Sequence, residues 1–485
     1  MREQVAEPVL LTKQARVAVE PDDRALPRAE VEHALDPLAV ALAPRADAEE
    51  PGHVVDARRL VGEIERDDHA LAPAPRPQAL GPCVDRHVVA GAQLGHRVPE
   101  ADGSPPNNWL STFGGPAWTL DDTTGQYYLH NFTAAQPDLN WWNDEVRDEF
   151  DRILRFWFDR GVAGFRIDVA HVIIKDRELR DNPPVTDDDD WFHKLLGQKP
   201  VYTQCRPEVH DVHRRFRAVA DSYDPPRMLV GETYVLDVPT VASFYGAGDE
   251  LNLAFNIPLL HTQFEAKALR AVVEETEAEV PPGSWPVWTA GNHDLSRFPT
   301  RWGEGDPAKA RCALMMILTL RGAAFLYYGD EIGMPDTDVP EERLRDPVGI
   351  RFHPLAGRDP ERTPMQWSPA PGGGFTSDPG VEPWLPYGDF ASCNVEDERH
   401  DPGSMLALCR DLIGLRDAVP ELRSGDYATI ERTPEGMWAW RRVQMRRSPV
   451  TSSRRAGSSA RLSATTTRSP RRHAHRLSGR ASIAT

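Results

Sequence analysis

Residues 162–171 read Val162-Ala163-Gly164-Phe165-Arg166-Ile167-Asp168-Val169-Ala170-His171. Most of this run suits a buried strand, yet Arg166 and Asp168 sit two residues apart near its end. Alternate residues of a strand share a face, so the two side chains are neighbours. A structural ion pair would explain them locally. The alternative is a pair placed for chemistry, and the surrounding sequence has to separate the two.

Upstream, DEVRDEFDRILRFWFDRG has the spacing of an amphipathic helix, with Trp157 and Phe158 expected to pack. Downstream, helical patterns alternate with short apolar runs. PEVHDVHRRFRAVADSY precedes RMLVGETYV, and ELNLAFNIP follows. FEAKALRAVVEETEAEV precedes PVWTAGNHD, and PAKARCALMMILTLRG precedes AAFLYYGDE. A further helix is expected at SMLALCRDLIGLRDAV. Repeated strand–helix units imply a parallel sheet. The fold class is therefore α/β, an incomplete (β/α)8 TIM barrel with about five recognisable strand–helix units. Chemistry in such barrels sits at the C-terminal ends of the strands.

The chain divides by composition. Its first aromatic residue is Trp109 and its last is Trp440. Residues 1–103 form an atypical segment rich in Ala, Pro, Arg, Val and acidic residues. Residues 104–440 carry the partial barrel, with a remnant of an inserted domain. From Arg441 onward the chain holds twelve arginines and no acidic residue, a composition that reads as disordered. Both flanks resemble GC-rich coding DNA translated out of frame. A net charge of −18 argues against nucleic acid as a partner. Five scattered cysteines without a Cys-x-x-Cys pair fit reduced thiols and a cytoplasmic location. No stretch of eighteen apolar residues occurs, so no membrane partner is expected, and the start MREQVAEPVLL lacks a secretory pattern. The acidic run Asp187–Asp190 reads as a solvated loop, and PAPGGG at 369–374 as turn material.

Other strands also end in carboxylates. LVGE ends at Glu232, and VWTAGNHD delivers His293 and Asp294. With Asp168, three acids would converge on one rim, an expensive arrangement unless it performs chemistry. Two carboxylates flanking a bond are what glycoside hydrolysis requires: one attacks the anomeric carbon, the other protonates the departing oxygen. A third can stabilise the oxocarbenium-like transition state. Arg166 is placed to keep Asp168 ionised.

GFRIDVAH, VGETYV and TAGNHDLSR resemble three conserved regions of the alpha-amylase family of glycoside hydrolases, family 13. The resemblance implies Asp168 as nucleophile, Glu232 as general acid/base and Asp294 as transition-state stabiliser. It makes Arg166 the family's invariant arginine and His293 the sugar-binding histidine. QPDLN at 136–140 resembles the region marking the oligo-1,6-glucosidase subgroup, and FLYYGDEIGMP the last barrel strand. GRDPERTPMQW at 357–367 resembles a loop of exo-acting alpha-glucosidases, which makes Arg362 the residue gripping the non-reducing-end glucose. Val169 matches the residue type associated with alpha-1,6 cleavage. The expected substrate is a short maltose- or isomaltose-type oligosaccharide, with no cofactor and no metal.

The resemblance also implies three barrel strands before QPDLN and an Asp-x-x-x-Asn-His motif, and residues 1–103 contain neither. A partner aspartate for Arg362 and a C-terminal β-sandwich are likewise not legible. Trp141, Trp142, Tyr127 and Tyr128 read equally as sugar platforms or as core. Glucosyl transfer of the trehalose-synthase kind and a non-catalytic sugar-binding relative remain alternatives. If the flanks are out of frame, a shifted frame around codons 90–110 and 435–450 encodes strands and a sandwich; resequencing the DNA there decides it.

Overall fold

The computed structural model describes residues 97–351 and 357–444, with the backbone of 483 and 484. The readings of residues 1–96 and of the arginine-rich stretch 445–482 lie outside the described residues. The chain first forms an antiparallel hairpin, β1 (Trp118–Asp121) with β2 (Gln126–Leu129), which the sequence reading did not foresee. Trp109 and Trp118 stack at 6.0 Å in its small core. Trp109 donates from its ring nitrogen to the Arg180 carbonyl, tying the hairpin to the segment after the first barrel strand.

The predicted helix before GFRID forms as α1 (Asp144–Phe158). Asn143 caps it by accepting from the Glu145 amide, and Asp144 and Glu145 place negative charge in the first turn. Val146, Phe150, Leu154 and Phe158 recur every fourth residue and make one stripe; Val146, Leu154 and Phe158 are buried. Trp157 lies a quarter-turn off that stripe and is 42% exposed, so its expected packing role is corrected while that of Phe158 holds.

The five expected strands then appear in order. β3 (Gly164–Ile167) pairs in parallel with β4 (Met228–Gly231), Gly164 opposite Met228 and Ile167 opposite Gly231. At Gly164 a Cβ would strike the Met228 carbonyl, so only glycine permits this approach. Between them runs α2 (Val209–Asp221), whose Val212, Phe216 and Val219 bury against α1 and the sheet. β5 (Leu253–Ala254) pairs with β4, followed by α3 (Ala266–Glu279). A single parallel bridge, Phe255 with Val287, joins β5 to β6 (Val287–Thr289). After α4 (Pro307–Thr319), β7 (Ala323–Phe325) pairs in parallel with β6. Five parallel strands in sequential order, with helices between, are an arc of a (β/α)8 barrel.

The chain continues into α5 (Met405–Ala418), then an antiparallel pair, β8 (Asp426–Thr429) and β9 (Ala439–Val443), with a two-residue β10 (Ile483–Ala484) beside β9. This corrects the boundary drawn at 440: Arg441 to Val443 belong to a strand, and Arg442 is buried. Trp438 and Trp440, 4.5 Å apart, close the core shared by α3, α4 and α5.

Arginines finish α4. Arg416 donates to the Leu318 carbonyl at 2.7 Å, to Leu320 at 3.1 Å and to Gly322, and Arg442 donates to Thr319 at 3.0 Å. These carbonyls have no partner within the helix, and the cations suit its negative end. Replacing Arg416 by Met keeps the apolar stem but strips those carbonyls of a donor. The expected loss is about 1–3 kcal/mol in urea unfolding; an unchanged midpoint would show that the guanidinium contributes nothing.

Candidate active site

In a parallel sheet all C-terminal strand ends face one rim. Asp168 follows β3 by one residue and Glu232 follows β4 by one residue. Asp294 lies in the loop after β6, its amide donating to the Asn292 side chain at 2.9 Å. The three predicted carboxylates thus stand at the C-terminal rim of the strand arc.

Asp168 and Glu232 occupy opposite environments. The Glu232 side chain is 6% exposed, whereas that of Asp168 is 71% exposed. Arg166 joins them, donating to Asp168 Oδ1 at 2.5 Å and to Glu232 Oε2 at 2.7 Å. The Val169 amide also donates to Glu232 Oε2, at 3.2 Å. Val169 itself takes φ 38° and ψ 48°, a left-handed conformation that is strained for a β-branched residue by about 1–3 kcal/mol. Burial pushes the Glu232 carboxyl up to about 7, with the neighbouring Asp168 charge adding to it and Arg166 opposing. For Asp168 burial acts upward too, but hydrogen bonds from Arg166 and Glu232 outweigh it and hold its pKa below the usual aspartate value.

Asp294 sits in a second cluster. Its Oδ1 accepts from Arg358 at 2.6 Å and from Arg362 at 2.7 Å, and His293 Nε2 lies 3.3 Å from Oδ2. Arg362 also donates to the His293 carbonyl at 2.6 Å. Burial lowers the His293 pKa, and the nearby arginines Arg362, Arg166 and Arg358 lower it further against the pull of Asp294. Arg166 lies within Coulombic reach of Asp294 and connects the clusters. Arg166, Glu232 and His293 line a cavity of about 160 Å³ together with Phe255, Phe325 and Tyr327.

The sequence reading left Arg362 without an aspartate; the structure gives it Asp294. Arg358 was missed. It grips Asp294 and, through two further hydrogen bonds of 2.9 and 2.7 Å, the buried Asp346. The available signal was its position four residues before Arg362 in the same GRDPER loop. Trp141 belongs to the core, and Trp142 packs against it and donates from its ring nitrogen to the Lys175 carbonyl. Among the described residues no group of three or more His, Cys, Asp and Glu is placed to hold a metal ion.

The chain matches a known family. The model of the alpha-amylase catalytic domain matches residues 94–425, and the chain belongs to that family of glycoside hydrolases. A probable alpha-glucosidase of Rhizobium meliloti is 36% identical over 344 residues, covering 68% of this chain and 62% of that protein. An oligo-1,6-glucosidase of Heyndrickxia coagulans is 32% identical, covering 68% of this chain and 65% of its own length. The crystal structure of an alpha-glucosyl transfer enzyme aligns with TM-score 0.68 at 37% identity, covering 72% of this chain and 66% of that one. A trehalulose synthase variant aligns with TM-score 0.63 at 29% identity, covering 72% and 67%. The chain therefore spans less than two thirds of the length of the curated relatives it matches. The (β/α)8 architecture of the family agrees with the five-strand arc.

Glu232 holds its proton to about pH 7 in the folded chain, against 4.5 for an ordinary glutamate. A raised carboxyl pKa destabilises the fold progressively as pH rises through that window. Glu232→Gln removes the penalty. Its melting temperature is expected to exceed that of the unchanged chain at pH 8 and to converge with it by about pH 4. Equal melting temperatures at both pH values would contradict the burial account.

Proposed function

We propose that the chain is a retaining, exo-acting alpha-glucosidase that hydrolyses terminal alpha-1,6 or alpha-1,4 glucosidic bonds of short oligosaccharides. The observation that carries this reading is the asymmetry of two adjacent carboxyls. Glu232 is buried and protonated to about pH 7, while Asp168 is open to solvent and kept ionised by Arg166. Pairs of titratable groups driven apart by their surroundings assign acid and base.

Asp168 attacks the anomeric carbon as the bond to the leaving oxygen breaks, and Glu232 gives its proton to that oxygen. Glu232, now a carboxylate, takes a proton from water, whose oxygen displaces Asp168 and releases glucose. One guanidinium, Arg166, donates to an oxygen of each carboxyl, at 2.5 and 2.7 Å, which keeps the pair on one short stretch of the rim and supports retention, since inversion needs a wider gap for water between them. Asp294, fixed by two guanidinium groups, is assigned to the ring hydroxyls, where it favours the positive charge of the transition state. His293 and Arg362 bind the terminal glucose, and Arg358 joins them.

Hydrolysis of an aryl alpha-glucoside is expected to release the alpha anomer first, observed by NMR. Release of the beta anomer, or full activity in Asp168→Asn, overturns the reading; the variant is expected to lose at least about a thousandfold in kcat. The rate falls as pH rises beyond about 7, where Glu232 loses its proton.

A second reading, glucosyl transfer, is favoured by the alignment with an alpha-glucosyl transfer enzyme. Incubation with maltose or isomaltose separates the two: free glucose alone supports hydrolysis, and a new disaccharide supports transfer. Val169 bears on linkage. Val169→Thr is expected to shift the ratio of maltose to isomaltose kcat/KM toward maltose by roughly five- to fiftyfold, the range one side chain at an acceptor site supplies.

A further inference from the structure

The stretch GFRIDVAH ends in His171, a buried residue that the mechanism above leaves unused. It lies in the single 3-10 turn Ala170–Val172 that follows Asp168 and Val169. The Tyr234 amide donates to His171 Nδ1 at 3.3 Å. That nitrogen therefore carries no proton, and the ring acts as a neutral acceptor. Tyr234 stands two residues beyond Glu232, on the segment that leaves β4. A buried histidine commonly fills core space; this one meets a backbone donor next to the acid.

The turn that carries His171 is itself held. His213 on α2, fully buried, donates from Nε2 to the Ala170 carbonyl at 3.0 Å. The Cys205 amide donates to the His171 carbonyl at 2.7 Å. Glu232 is tied to the same stretch: its amide donates to the Ile167 carbonyl at 2.9 Å, and its carbonyl accepts from the Ala170 amide at 2.8 Å. The next residue, Thr233, donates from its hydroxyl to the Phe255 carbonyl at 3.0 Å. Burial pushes the His171 ring down to about 4; Lys175 and His213 push the same way, while the Glu232 backbone and Asp168 oppose them. The ring therefore stays neutral where Glu232 exchanges its proton, near pH 7.

We propose that His171 is a positioning residue for Glu232: as a neutral acceptor it fixes the Glu232–Tyr234 segment, so that the carboxyl stays buried and aimed at the rim, while His213 seats the turn behind it. The proposal rests on the reading of Glu232 as the general acid. Arg166 and the Val169 amide both hold Oε2, so the place of Oε1 follows from the backbone that carries the side chain. An acid displaced by a fraction of an ångström protonates its leaving group poorly. Without the His171 acceptor, the half-buried Tyr234 amide has to find water, and water admitted there also reaches the Glu232 carboxyl. That carboxyl keeps its proton because it is buried, so hydration lowers its pKa. His171 acts through Glu232, not on the sugar.

The test uses His171→Leu and His171→Asn in the full chain, two side chains of nearly one shape of which only Asn offers an acceptor where Nδ1 stood. Two substrates are compared: maltose, whose leaving oxygen needs a proton, and a dinitrophenyl alpha-glucoside, whose phenolate leaves without one. In His171→Leu kcat/KM for maltose is expected to fall roughly thirtyfold and that for the dinitrophenyl glucoside less than about threefold. His171→Asn is expected to recover most of the loss. Where His171→Leu does not fold, His171→Gln, with its acceptor one bond further out, is expected to show the same split. Infrared titration, with Glu232→Gln subtracted to isolate the one carboxyl, is expected to move Glu232 from about 7 to below about 6 in His171→Leu. Equal losses on both substrates, or an unmoved Glu232 titration, overturn the proposal. Absence of hydrolysis of either substrate by the unchanged chain overturns the alpha-glucosidase reading instead, while the infrared titration still decides whether His171 governs Glu232.

Discussion

A single guanidinium sets the chemistry of the rim. Arg166 leaves β3 at the residue paired in register with Val230 of β4, which brings it between the ends of both strands. From there it holds Asp168 on one side and Glu232 on the other. Its charge keeps the exposed acid ionised, and it also works against the burial that keeps the sheltered acid protonated. Burial wins at Glu232 because that side chain has almost no solvent contact, and Arg166 wins at Asp168 because water shares the work of stabilising the charge. Without the parallel register, no one side chain could reach both carboxyls.

The same logic, inverted, governs Asp294. Two arginines from one loop converge on one oxygen, so the carboxylate is neutralised twice over and cannot rotate. The cost of gathering so much positive charge is met by Asp346, a buried carboxylate that takes two hydrogen bonds from the Arg358 guanidinium and a third from its amide. Loop 357–362 therefore behaves as a clamp on the rim.

Much of this was legible in the sequence because strand ends are local. GFRID, LVGE and TAGNHD each state a strand and its terminal acid within a few residues, so the five strands and their carboxylates were placed correctly. What failed depended on distant partners. Arg358 looks like any surface arginine until Asp294 and Asp346 are brought to it from 64 and 12 residues away. The hairpin β8–β9 was missed because its strands are short and carry arginines, and the buried Arg442 finds its partner at the end of α4, 123 residues away. Trp157 was misplaced for a simpler reason: periodicity fixes a stripe, and adjacent aromatics cannot both lie on it.

The rim is built on two foundations. Asp168 and Glu232 ride on β3 and β4, above a core made with α1 and α2 that includes Phe158, Phe216 and Leu229. Asp294 follows β6, above a separate core made with α3, α4 and α5 around Trp288 and Leu314. The backbone seam between β5 and β6 is one bridge, Phe255 with Val287, reinforced by the edge-to-face contact of Phe255 with Phe325 at 4.8 Å. Each half can hold its own charged cluster rigidly while the separation between them depends on that narrow seam and on the charge of Arg166 facing Asp294. Under the proposed mechanism, Asp168 and Asp294 have to be held relative to one another within a fraction of an ångström. The seam at Phe255 is therefore where the spacing between the two carboxylate clusters can change without loss of either core.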